Sequence, residues 1–213
     1  MSFLDFKHLV LVDLNSNGLF FYLAKDVKNL PALDFASMTL LAKVANQELC
    51  KRNLLADDQE TIRLIEQKLR DFDLREYKLV FLLAKESSAL EKALLIKAFP
   101  FWQKVELVER HFFYNFYLMQ KRNFSPVKFL VNVFADCCEL SLFKQENLLV
   151  DERVELHNLP ERCQVFLTTH LAKNQLKKPE CFYFFTNNLP GKMPAGDLAK
   201  YLKMEAITID QLC

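Results

Sequence analysis

The chain has 213 residues, 51% of them hydrophobic and 26% charged, with 28 Lys and Arg against 27 Asp and Glu. That balance belongs to a folded globule with a real core; it excludes a disordered chain and gives no electrostatic sign of nucleic acid or of an anionic membrane as a direct partner. Glycine occurs only three times, where average usage of ~7% would give about fifteen, so no P-loop and no G-x-G-x-x-G fingerprint is present.

The first predicted elements form a hairpin: His8–Leu14 (HLVLVDL), the turn Asn15-Ser16-Asn17-Gly18, and Leu19–Ala24 (LFFYLA). The segment before it, MSFLDFKHL, with Phe3, Leu4 and Phe6 near Lys7, reads as a lead-in to that strand, with a short membrane-touching segment as the alternative. Pro31 closes a loop, Phe35–Leu41 reads as a third strand or as the start of a helix, and Ala42–Leu55 is mostly helix-forming but weakly patterned. Asp57 and Asp58 open a helix predicted to reach Phe72, with acids in the first turn and Ile62, Ile65, Leu69 and Phe72 on one face. Tyr77–Leu83 is then a buried strand, Ser87–Ala98 a helix with a serine cap, and Lys104–Val108 a short strand. His111–Lys121 is an aromatic-rich helix whose Phe112, Phe113, Phe116 and Tyr117 carry the spacing of core packing.

Pro126 resets the pattern. Val127–Phe134 and Glu139–Phe143 make a second hairpin whose return strand extends toward Leu148–Val154. A helix around Arg162–Leu171, the strand Cys181–Phe185, an Asn/Pro/Gly turn, a helix at Ala195–Leu202 and a last strand Ala206–Ile209 complete the chain. The two halves therefore repeat one order of elements, hairpin and third strand first, helices and strands alternating after.

The remaining features favour plain readings. The six cysteines show no C-x-x-C pair and no zinc spacing, and no secretory signal precedes them, so a reduced, cytoplasmic protein is expected. Adjacent Cys137 and Cys138 read as small buried hydrophobes. No apolar run reaches the ~20 residues of a membrane span, so membrane contact is expected to be indirect. Lys173–Lys178 (KNQLKK) reads as solvated helix ends, and His111, His157 and His170 have no triad or metal spacing.

The doubled order resembles the actin-like ATPase superfamily, two ribonuclease-H-like domains in tandem, and within it the bacterial actin branch of rod-shape, cell-division and pilus-assembly homologues. The resemblance implies an α/β protein of two tandem lobes, residues 1–125 and 126–213, each a mixed sheet flanked by helices. LEKALLIKAFPFWQKVELVERHFFYNFYL is similar to that branch's connecting segment, with Glu91 near the acid that positions water. Type III pantothenate kinase shares the two-lobed plan and a short chain, but its catalytic motifs are not evident.

Three places in this superfamily grip ATP, and the resemblance carries them onto this chain. In the first loop Asp13 matches the acid, Asn15 stands where a glycine would be, and Ser16 matches the hydroxyl. In the second, Asn132 replaces the acid, and Phe134, Ala135 and Asp136 stand where glycines would be. In the third, Thr186 and the Pro190-Gly191 turn are kept, while Asn187 and Asn188 replace glycines. Backbone amides crowd a phosphate only where side chains are absent. Phe134 puts a ring there, Asp136 adds negative charge, and the neutral amide of Asn132 cannot hold a metal or act as a base.

Three expectations follow. The first is a degenerate actin-like pseudo-ATPase without cofactor, a scaffold for a protein partner in a bacterial cytoplasm, beside a membrane-associated assembly. The second is an active small kinase or ATPase using ATP and magnesium around Asp13 and Glu91. The third is a shortened actin-like subunit that forms a homodimer or longer assembly through exposed strands and the Phe-rich helix.

Overall fold

A computed structural model describes residues 8–15, 18–25, 38–44, 50–51, 54–55, 58–69, 77–84, 87–98, 105–120, 125–134, 137–186 and 195–210. The chain forms two compact units that divide between Phe113 and Tyr114.

In the first unit β1 (His8–Asn15) and β2 (Gly18–Lys25) form the expected hairpin, and β3 (Thr39–Val44) adds to it antiparallel. Two minimal strands, β4 (Cys50–Lys51) and β5 (Leu54–Leu55), pair with each other. The stretch from Ala42, helix-forming by composition, is thus extended through Val44 and again in this small hairpin. Pairing to β2 overrides a weak local preference. Helix α1 (Asp58–Leu69) begins where the acids predict, and its expected end, Phe72, lies outside the described residues. Strand β6 (Lys78–Leu83), helix α2 (Ala89–Ala98) and strand β7 (Val105–Glu109) follow, giving the sheet order β3-β2-β1-β6-β7 with β1, β6 and β7 parallel. Helix α2 starts at Ala89, so a serine, Ser88, stands at its N-cap, its carbonyl accepting from the Lys92 N–H at 3.0 Å.

Helix α3 (Arg110–Gln120) starts directly after β7 and contains the division between units. Its Phe113, Tyr114, Tyr117 and Leu118 are buried, as the spacing predicts, whereas Phe112 is 41% exposed.

The second unit repeats the plan. Strands β8 (Val127–Val133), β9 (Cys137–Lys144) and β10 (Asn147–Glu155) form an antiparallel meander, so the return strand does not simply extend. It turns at Gln145, whose φ of 56° is left-handed and whose N–H donates to the Pro126 carbonyl at 2.7 Å. Helix α4 (Leu159–Lys173), strand β11 (Cys181–Thr186), helix α5 (Ala195–Leu202) and strand β12 (Glu205–Asp210) complete a sheet of order β10-β9-β8-β11-β12. Helix α4 starts earlier than expected because Asn158 takes a left-handed conformation and Pro160 suits a first turn. Both sheets are α/β, mixed and flanked by helices.

Alternation along the strands builds one core in each unit. Val10, Val12 and Leu14 join Leu19, Phe21, Leu79 and Phe81 in the first. Phe129, Val131 and Val133 join Cys138, Leu140, Phe182 and Phe184, with Cys163, Phe166 and Leu167 of α4, in the second. The intervening residues, including Leu9, Leu11, Asp13 and Leu82, are buried as well, which is why these strands read as unbroken apolar runs.

Candidate functional site

Asp13 lies near the carboxyl end of β1, opposite Phe20 on β2 and Leu82 on β6. In an open α/β sheet the space beyond the carboxyl ends of parallel strands is where ligands are gripped. Here a side chain of the same chain is gripped. Arg110 donates from Nε and Nη2 to Asp13 Oδ1, at 3.1 and 3.0 Å, and Nη2 also donates to the Leu14 carbonyl. The arginine side chain is fully buried and that of Asp13 is 3% exposed.

Arg110 is the first residue of α3, whose first turn contains no acid. A cation at a helix N-terminus is disfavoured by the helix dipole. The carboxylate of Asp13 supplies the charge that holds it there, and the short range of a buried pair makes the contact specific. Nothing in the chain order marks Arg110 as the partner of a residue 97 positions away. The one sequence signal was a basic residue directly after the strand VELVE.

The second sheet holds Asn132 at the corresponding place, sixth in β8 as Asp13 is sixth in β1. Its neighbours correspond too, Glu139 on β9 for Phe20 and Phe185 on β11 for Leu82. Asn132 Nδ2 donates to Glu139 Oε2 at 3.4 Å, a long contact. Phe185 stacks on Tyr114 with ring centroids 4.1 Å apart. Past the end of β8, Phe134 is fully buried and its N–H donates to the Cys137 carbonyl at 2.9 Å; Cys137 and Cys138 are buried beside it. The described part of this turn is therefore packed. Glu139, half-buried next to Asn132, is the acid that motif comparison passed over, because it lies across the hairpin from the expected position.

Of the other candidates, Asn15 ends β1, Thr186 ends β11, and Glu91 lies in the first turn of α2. Ser16, Asp136 and Asn187 lie outside the described residues. Asp13 with Asn15, and Asn132 with Thr186, are thus brought to the ends of their own sheets, whereas Glu91 belongs to a helix.

These residues do not fit a divalent cation at Asp13. Magnesium asks for six oxygens in near-octahedral array, but the carboxylate is engaged by a guanidinium. Among the described residues no group of three His, Cys, Asp or Glu side chains could hold a metal. Thiolate chemistry is disfavoured at two of the cysteines: burial pushes the Cys163 thiol up to about 12 and that of Cys138 well above its ordinary value. His111 lies 3.4 Å from Glu109, and His170 packs on the Phe166 ring. Among the described residues no helix is long and apolar enough to cross a membrane.

No family model matches the sequence, and no curated protein matches it. Solved structures do. A Bacteroides thetaiotaomicron protein with actin-like ATPase fold and unknown function is similar at TM-score 0.59 and 11% identity, over 96% of this chain and 93% of its own. The ethanolamine utilization protein EutJ from Carboxydothermus hydrogenoformans is similar at TM-score 0.59 and 9% identity, over 98% of this chain and 86% of its own. A chain of the PilM-PilN type IV pilus biogenesis complex is similar at TM-score 0.59 and 12% identity, over 94% of this chain and 88% of its own. Such identities establish the fold: two tandem actin-like lobes.

Proposed function

We propose that this actin-like chain is a pseudo-ATPase that serves as a protein-interaction scaffold in a bacterial cytoplasm, beside a membrane-attached assembly. The observation that supports it is the buried Arg110 on Asp13. Phosphoryl transfer in such folds is positioning and charge stabilisation, with a metal held by carboxylates. A carboxylate neutralised by an internal guanidinium is a poor start for that chemistry, and the buried Phe134 argues the same in the second lobe. Likeness to a chain of a protein–protein complex, the PilM-PilN assembly, supports a protein as the partner.

Thermal melting with and without Mg-ATP tests the first half of this reading. A nucleotide at a hundred times its dissociation constant adds about 2.7 kcal/mol to stability, a rise of several degrees. No rise is expected; a clear one would restore the active kinase or ATPase. Sedimentation over increasing concentration tests the second half, since a scaffold for another protein stays monomeric alone while a self-associating subunit grows.

A further inference from the structure

We infer that the outer edge of β10 is a docking site for an extended, basic segment of another protein, which adds antiparallel to the second sheet as a further strand. The inference rests on the scaffold reading and deepens it by naming the chemistry of the partner. Its test involves no nucleotide, so failure here leaves the pseudo-ATPase reading standing, and a response to Mg-ATP leaves this one standing.

The backbone provides the site. Strand β10 ends the sheet order β10-β9-β8-β11-β12, and from Val150 to Glu155 its inner edge pairs with β9 without a break, the bulge at Leu149 lying before that run. In an antiparallel pair alternate residues turn their main-chain N–H and C=O outward. On this terminal strand those groups meet no further strand among the described residues. At nine residues β10 is also the longest strand described, and its regular edge suits pairing along the backbone of a peptide.

Charge selects the occupant. Along β10 stand Asp151, Glu152 and Glu155 against a single base, Arg153, whose register partner on β9 is Glu139. The register sets Val150, Glu152 and Val154 opposite Leu142, Leu140 and Cys138 of the core, and so puts Asp151, Arg153 and Glu155 on the other face. Acids therefore flank the edge on both faces. Glu152 and Glu155 are exposed and have no ionic partner among the described residues. The other edges differ: β7 pairs Glu106 with Lys78 and Glu109 with Lys92, β3 holds Lys43 5.0 Å from the Phe20 ring centroid, and β12 carries acids only at its ends, Glu205 and Asp210. Opposite charges facing each other across strands stabilise the pairing and like charges oppose it. A second copy of β10 brings the same net negative charge, whereas a basic segment complements it.

Reading β10 backward from Glu155 to Val150 gives the probe acetyl-KVTKKV-amide, with lysine opposite each acid, valine opposite each valine and threonine opposite Arg153. The amide resonances of the isotope-labelled full chain are followed by NMR as this peptide is added to millimolar concentration. Saturating shifts are expected at the amides of Val150 to Glu155, while acetyl-EVTEEV-amide should leave them in place. Glu152→Lys/Glu155→Lys should weaken binding about tenfold, and salt at about 1 M should weaken it in the intact chain. Strand addition is separated from charge alone by two further forms of the basic peptide, N-methylated at its odd or at its even residues. Because alternate N–H groups of a strand face its partner, one form should lose binding and the other keep it. No shift with the basic peptide, shifts confined to other elements, equal binding of the acidic peptide, or equal binding of the two methylated forms would each overturn the inference. Shifts of the β10 amides with protein concentration alone would overturn it too, by making the occupant a second copy.

Discussion

The two sheets share one strand order and treat the same position in opposite ways. At the end of β1 the first keeps an acid and neutralises it with Arg110; at the end of β8 the second has exchanged the acid for Asn132 and placed Glu139 across the hairpin. The first pair is charged, closed and bound at 3.0–3.1 Å; the second is half-charged, partly open and bound at 3.4 Å. Strand order and apolar alternation thus specify each lobe without specifying what sits at the strand ends.

Substitutions can break that contrast or sharpen it. The largest effect is expected from Arg110→Met, which takes the guanidinium from a buried carboxylate and should cost about 3–5 kcal/mol in urea denaturation. Adding Asp13→Leu should return most of that, since an apolar pair buries no charge. Next is Phe134→Ala, a loss of about 3 kcal/mol from deleting a fully buried ring, measured the same way. A small loss, accompanied by binding of Mg-ATP, would mean that the ring merely plugs a phosphate site. Asn132→Asp would set two carboxylates face to face and should cost about 1 kcal/mol at neutral pH. Because one of them then takes a proton more readily folded than unfolded, the loss should fade on acidification, whereas Glu139→Gln should abolish that pH dependence.

The smallest effect concerns Lys128. Burial lowers its pKa, partly countered by Glu146, so the folded protein binds that proton less well than the unfolded chain does. The resulting penalty is present at neutral pH and is relieved as pH rises from the lowered folded value toward 10.5. Lys128→Met should lack this gain, read as the difference between the two stability–pH curves.

Much of the fold could be read from the sequence because both faces of the central strands are buried. HLVLVDL, KLVFLL and VKFLVNV are continuous apolar runs, and glycine poverty marked the phosphate turns as altered. The region from Phe35 to Leu55 was ambiguous because β3 is an edge strand with Leu40 and Lys43 exposed, so its alternation is diluted. Candidate residues Asp13 and Asn132 were found by their place in a hairpin, which is local. Their partners were not. Arg110 reaches Asp13 only through the β6–α2–β7 crossover, and no local pattern encodes a contact of that separation; Glu139 was hidden by the search for an acid on the outgoing strand.

The division between Phe113 and Tyr114 falls inside α3 and not in a linker. Domains are usually separable at an exposed, extended segment that a protease can bind. A helical crossing offers no such strap. Cutting the gene there would leave four residues of α3 on one fragment and seven on the other, both far below the roughly 12–15 residues at which a free helix becomes even marginal in water. A protease should therefore not cut between Phe113 and Tyr114, which limited proteolysis with mass spectrometry of the fragments checks.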